Sequence, residues 1–228
     1  MRRVLIGTPC YDGRIDVWYA NSLVNAIRIA ESCGIFLHPI WLSYDALIQR
    51  ARNDLLGMVI SENYDDIIFI DSDIEFDPLW IFKLLDSEED VVGGTYPKKG
   101  DNESYPVKGL FVNGLLNTTT DERGLLEVQG IGTGFVKLSR KAVQALWDTS
   151  VEYTNTEKGT VSRMMSEVEV VDGDLISEDI TMFKRLRGLG FRIWLDPTMT
   201  CNHIGNKKYK GNFSNYLKRL SVSVLPNP

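Results

Sequence analysis

An open, mostly parallel α/β sheet with helices on both faces is the fold class that this chain of 228 residues predicts. Two observations lead there. Over the first 96 residues, strand-like apolar runs alternate with segments of helical period, a βαβαβα series. One of those runs, Ile67-Ile68-Phe69-Ile70, is apolar at every position, as at the centre of a sheet buried on both sides.

Arg3–Thr8 reads as the first strand, broken by Pro9 and the turn pair Asp12-Gly13. Val17–Ser32 has apolar residues at Val17, Ala20, Leu23, Val24, Ile27 and Ala30, a helical spacing, and Gly34 ends it. Ile35–Leu42 is strand-like. Asp45–Glu62 is helical again, with Leu47, Ile48, Ala51, Leu55 and Val59 on one face. Ile67–Ile70 follows, and Asp77-Pro78 opens a further helix as cap and first residue.

Beyond residue 96 the character changes. PKKGDNESYP (97–106) is a polar loop, and 111–124 is rich in Asn, Thr and Gly. IGTGFVKL (131–138) reads as a strand that begins with spaced glycines. Ser139 caps a helix to about Trp147, and 149–163 reads as a mobile surface excursion. Ser177 caps the helix SEDITMFKRLRGLG, and the strand Phe191–Leu195 stops at Asp196-Pro197. From Pro197 to the end there is no acid. No linker, repeat or low-complexity stretch divides the chain, so one domain is the simplest organisation. Within it, 1–96 forms one half, 97–205 a second, and 206–228 a basic tail.

The composition narrows the function classes. A net charge of −6 gives no general reason to expect nucleic-acid binding. No apolar run approaches the roughly 20 residues that span a bilayer, and Val4–Ile6 is too short for the core of a signal peptide. Cys10, Cys33 and Cys201 are scattered and odd in number, which argues against a disulfide framework and for a reducing, cytoplasmic setting.

The chemistry concentrates where the most apolar strand runs into Asp71-Ser72-Asp73. In extended backbone the two carboxylates point to the same side, and two like charges that close repel unless a cation compensates. They sit at a strand's carboxyl end, where ligands bind in open α/β sheets. The first strand ends in the same region, at Thr8-Pro9-Cys10-Tyr11-Asp12. The pair either dangles in water as an acidic turn or holds a divalent cation.

Taken in order, TPCYDG, ARND, FIDSDIEF, GIGTGFVKLSR, SEDITMFKRLRGLGFRIWLDP and CNHIG resemble a glycosyltransferase of the GT-A fold, close to the inverting, family-2-like enzymes, over roughly residues 3 to 205. The resemblance implies a nucleotide-sugar donor and Mn²⁺ or Mg²⁺ bridging its phosphates. Asp73 would be the direct metal ligand, with Asp71 on ribose or a metal-bound water and His203 as a further ligand. Asp179 would take the proton of the acceptor hydroxyl, and Glu178 would orient the acceptor. Thr8, Pro9, Tyr11, Asp12, Arg52, Asn53 and Ser72 would surround the nucleotide. Gly132, with Gly130 and Gly134, would pass beneath the donor sugar, and Lys207 with its neighbours would close over the diphosphate.

Each element has a plainer reading. Acids at a helix start suit the helix dipole whatever their role. Tyr11 can be a packed surface residue, Arg50 and Arg52 can solvate a helix face, and the lysines can be a solvated end. His38 reads as structural. Trp147 and Trp194 are candidates for an aromatic acceptor platform or for the core. Two other functions use related parts: a nucleotidyltransferase that makes nucleotide sugars, and a non-catalytic nucleotide- or carbohydrate-binding module.

Overall fold

The structure, a computed structural model, describes residues 1–112, 114–156 and 159–223. In its first part lie β1 (Arg2–Cys10), α1 (Val17–Ser32), β2 (Ile35–Ser43), α2 (Ile48–Ser61), β3 (Asp66–Ile70), β4 (Ile74–Glu75), α3 (Leu79–Asp86) and β5 (Val91–Thr95). Then come β6 (Val107–Gly109), β7 (Phe111–Val112), β8 (Leu115–Leu116), β9 (Leu126–Ile131), β10 (Phe135–Ser139) and α4 (Arg140–Thr149). The last part holds β11 (Glu152–Asn155), β12 (Thr160–Arg163), β13 (Glu169–Val171), β14 (Asp174–Ile176), α5 (Glu178–Gly188), β15 (Ile193–Thr200), β16 (Asn202–Ile204), β17 (Lys208–Tyr209) and α6 (Phe213–Ser223).

Eight strands form the central sheet in the order β2-β1-β3-β10-β5-β15-β9-β6. Only β10 and β9 run against the others. The sheet is therefore mostly parallel and Rossmann-like, as the alternation of elements predicts. It also crosses the boundary expected between the two halves, because β10, β15 and β9 come from beyond residue 96.

Alternation along each buried strand sends side chains to opposite faces. Ile67 and Phe69 join one core with Leu55, Leu56 and Val59 of α2, Val143 and Leu146 of α4, and Phe183 and Leu186 of α5. Ile68 and Ile70 join a second core with Leu23 and Ala26 of α1 and Ile81 and Leu84 of α3. Each fully buried side chain of this size contributes about 2 kcal/mol. This is why β3 carries no polar residue between Asp66 and Asp71.

The boundaries carry several corrections. α1 begins where expected, because Asp16 Oδ1 accepts the Trp18 N–H at 2.8 Å, and Gly34 follows its end with φ +70°. Asp77 likewise accepts the Leu79 N–H at 2.9 Å. α2 starts at Ile48, not Asp45: the Asp45 carboxylate accepts the Leu47 N–H and the Arg50 Nε–H, a local turn that competes with helix. IGTGFVKL is not one strand. β9 ends at Ile131 and β10 begins at Phe135, with the glycines in the turn between them. Asp196-Pro197 does not end a strand either; β15 runs through it with a register shift. The excursion at 149–163 contains the hairpin of β11 and β12, whose connecting residues 157 and 158 lie outside the described residues.

The basic tail is docked, not loose. β16 pairs with both β17 and β4, and α6 buries Phe213 and Leu217 against Tyr105. The end of the expected tail, 224–228, lies outside the described residues. No described helix is long and apolar enough to cross a membrane. All three cysteines are unbridged.

Candidate functional site

Because β1, β3, β5 and β15 run in one direction, their carboxyl ends meet at one edge of the sheet. Antiparallel β10 brings its leading turn to the same edge, where the Gly134 carbonyl accepts the Asp71 N–H at 3.2 Å. Ser72 is tied to the start of α1 through Asp16 N–H (2.9 Å), and the Asp73 carbonyl accepts the Ile204 N–H at 2.8 Å. These backbone contacts fix the Asp71–Asp73 turn between the first and last strand ends. A cleft of about 280 Å³ opens there, lined by Pro9, Tyr11, Asp71, Ser72, Asp73 and His203.

Behind Asp71 lies Arg52, buried in the second turn of α2. Its Nη2 is 3.4 Å from Asp71 Oδ1, and its Nη1 donates to Glu178 Oε1 at the start of α5. Its Nε has no hydrogen-bond partner. Burial alone would make so enclosed a guanidinium easier to deprotonate, but the Asp71 and Glu178 carboxylates reverse that and hold its charge. Burial pushes the Asp71 carboxyl above its ordinary range; Arg52 opposes the shift and Asp73 adds to it. Asp179 Oδ1 accepts the Ile180 N–H at 2.7 Å and the Ser177 hydroxyl. Ser177 thus occupies the cap position of α5 but gives its hydroxyl to Asp179 instead of capping backbone.

Asp73 has different company. Its Oδ2 is 2.5 Å from Lys99 Nζ and 3.5 Å from His203 Nε2. Burial would raise this carboxyl, yet the His203 ring and the Lys99 ammonium beside it outweigh that and hold it below the ordinary range. His203 Nδ1 lies 3.0 Å from the Pro97 carbonyl, which can only accept, so Nδ1 carries a proton and Nε2 faces Asp73. The imidazole is set edge-on to Tyr96 at 5.1 Å.

This arrangement offers a divalent cation one carboxylate and one imidazole nitrogen, with the ring oriented by a backbone carbonyl as metal-binding histidines are. Asp71 lines the same cleft and is drawn to Arg52. Among the described residues no three His, Cys, Asp or Glu side chains gather into a ligand set. Asp73 and His203 could hold a divalent cation only if water or a bound anion completed its ligands.

Other expected residues lie elsewhere. Thr8 is buried, and its hydroxyl hydrogen-bonds the Tyr19 hydroxyl at 2.6 Å. Asp12 accepts the Arg14 N–H in an exposed turn. Asn53 is fully buried: Oδ1 accepts the N–H groups of Met165 and Ser166, and Nδ2 donates to the Ser166 carbonyl. It holds the segment that leads to α5. The closeness permitted by Gly132 is to the chain itself, because a Cβ there would stand 2.5 Å from Tyr96 Oη and 2.8 Å from Pro106 Cγ. Lys207 sits 3.8 Å from Asp101. Trp194 is core, beneath Arg192 and Arg123, and Trp147 lies under Arg163 beside Gly57.

Among solved structures, A197 from STIV superposes over 93% of this chain and 95% of its own, with a TM-score of 0.56 and 18% identity. The two chains share a fold. A glycosyltransferase involved in the glycosylation of the major capsid of PBCV-1 matches 63% of each chain at a TM-score of 0.33 and 8% identity. A Bacillus anthracis protein assigned as a glucose-1-phosphate thymidylyltransferase covers 100% of this chain and 97% of its own at 0.39 and 10%. Those last two superpositions are too loose to bear on this chain. No protein-family model matches the sequence, and no curated protein does.

Sequence reasoning missed Lys99 and Tyr96. Both follow β5, whose VVGGT is fully buried, and the strand-end rule would have reached them had that short, glycine-containing run been read as a strand.

Proposed function

We propose that this chain is a metal-dependent glycosyltransferase that moves a sugar from a nucleotide donor, UDP- or GDP-linked, to a hydroxyl acceptor with inversion. One observation carries the reading: a single buried guanidinium joins Asp71, beside the cleft, to Glu178, the neighbour of the candidate base. Donor side and acceptor side are thereby held in one rigid unit.

The nucleoside would lie along Pro9, Tyr11 and Ser72, with its diphosphate toward Asp73. Asp73 and His203 would hold Mn²⁺ or Mg²⁺, which when bound neutralises charge on the leaving diphosphate. Arg52 does not reach for phosphate here; it keeps Glu178 and the first turn of α5 in place. Among the described residues both hydrogen bonds to Asp179 fall on Oδ1, which leaves Oδ2 to take a proton from the acceptor hydroxyl. That oxygen then attacks the anomeric carbon as the bond to diphosphate breaks, and a single displacement inverts the configuration.

The test is calorimetric titration of UDP-, GDP-, dTDP- and CMP-sugars, with Mn²⁺ and with EDTA. Metal-dependent binding of one nucleotide, lost in a folded Asp73→Ala variant, is the expected result. No binding of any donor under either condition would move the weight to a binding module for another ligand. A product of retained configuration would remove the direct-displacement step.

A further inference from the structure

Lys99 belongs to none of the motifs that mark the cleft, yet its Nζ contacts Asp73 Oδ2, the oxygen that His203 Nε2 also approaches. An ammonium therefore stands on the carboxylate oxygen nearest the imidazole. The stem of Lys99 runs over Gly205, where a Cβ would meet its Cδ at 3.1 Å and its Cε at 3.3 Å. Its side chain is 38% exposed, so the head can leave Asp73 without opening the core. Nearby lysines are otherwise engaged: Lys208 contacts Glu75 at 2.7 Å and lies over the Trp18 ring, and Lys207 faces Asp101.

Taking the cleft as the metal and diphosphate site proposed above, we infer that Lys99 is the resident counter-ion of Asp73. It holds the carboxylate until a divalent cation takes it, and is then released to the phosphates of the donor. A dication and an ammonium on one carboxylate oxygen repel each other, so each weakens the other's hold on Asp73. The diphosphate brings new negative charge beside the displaced head, and an ammonium readily donates hydrogen bonds to phosphate oxygens. Lys99 thus opposes metal binding in the absence of nucleotide and favours nucleotide binding in the presence of metal.

The two effects have opposite signs, which separates this role from a structural one. Lys99→Gln should bind Mn²⁺ alone about fivefold more tightly, the size of a partly exposed ion pair. With saturating Mn²⁺, the same variant should bind UDP or GDP about fivefold more weakly, and Lys99→Arg should stay near wild type in both. Free Mn²⁺ read by electron paramagnetic resonance and nucleotide read by calorimetry, on the full chain, give the two affinities. Unchanged Mn²⁺ affinity in Lys99→Gln, or weakening of both affinities, would overturn the inference while leaving the metal site standing. Failure of the wild type and Lys99→Gln alike to bind Mn²⁺, with and without UDP or GDP, would remove the metal reading and the inference with it.

Discussion

Asp71 and Glu178 share one guanidinium, although one ends a strand in the first half of the chain and the other opens a helix in the last quarter. Arg52, itself only 4% exposed, is the tie. Removing it leaves two partly buried carboxylates, 26% and 13% exposed, without that cation. Arg52→Ala is therefore expected to destabilise the fold by about 3 kcal/mol, the cost of breaking a buried ion pair by deleting one partner. Arg52→Lys should fall between, since an ammonium has no fork with which to hold two carboxylates. Urea denaturation checks both, and a loss within experimental scatter for Arg52→Ala would show that solvent, not Arg52, carries the charges.

Asn53 should behave as a structural tie for the segment before α5. Asn53→Ala strands the Ser166 N–H, while that of Met165 keeps the Arg163 carbonyl at 3.0 Å, and an unsatisfied buried donor costs about 1–3 kcal/mol. Hydrogen exchange at the Ser166 amide should accelerate well before exchange in β3. Equal protection in variant and wild type would mean that the segment is held from elsewhere.

The glycines after β9 make a prediction about Tyr96. Gly132→Ala sets a methyl 2.5 Å from Tyr96 Oη, and Gly134→Ala sets one 2.6 Å from the ring carbon Cε1. Each should cost about 1–3 kcal/mol by overpacking. Adding Tyr96→Phe should recover more of the Gly132→Ala loss, where the hydroxyl is the nearest atom, than of the Gly134→Ala loss, where two ring carbons stand closer than the hydroxyl. Thermal melts of the two double variants decide it.

Lys137 gives a pH signature remote from the cleft. It lies in the middle of β10 with Nζ on the Ser87 carbonyl at 3.0 Å, and burial lowers its pKa although Asp66 pulls the other way. A lysine whose folded pKa is depressed releases its proton in the folded state first. Between that lowered value and the ordinary lysine value of about 10.4, the unfolded chain binds more protons, so stability rises with pH in this window. Below it, the folded protein bears the cost of an enclosed charge. Lys137→Met should match or exceed wild-type stability at neutral pH, and the wild type should gain on it as the solution turns alkaline. Parallel denaturation curves across that range would rule out a shifted lysine.

The sequence by itself determined the layers. The period of Val17–Ser32, the unbroken run Ile67–Ile70 and the turn at Asp77-Pro78 are local features, and local backbone and packing physics reads them directly. It also placed Asp71 and Asp73 beside the end of the first strand through the strand-end rule, and the resemblance added His203 to them. What it left open was decided by contacts between distant segments. Whether Asn53 faces a nucleotide or a loop depends on where Met164–Ser166 returns. Whether Gly132 makes room for a sugar or for Tyr96 depends on β5 lying next to β10. The antiparallel insertion of β10 and the passage of β15 through Pro197 have no local signal, because each is fixed by which strands pair. Pairing is settled by how the whole sheet buries its two faces, and that is a property of the tertiary structure alone.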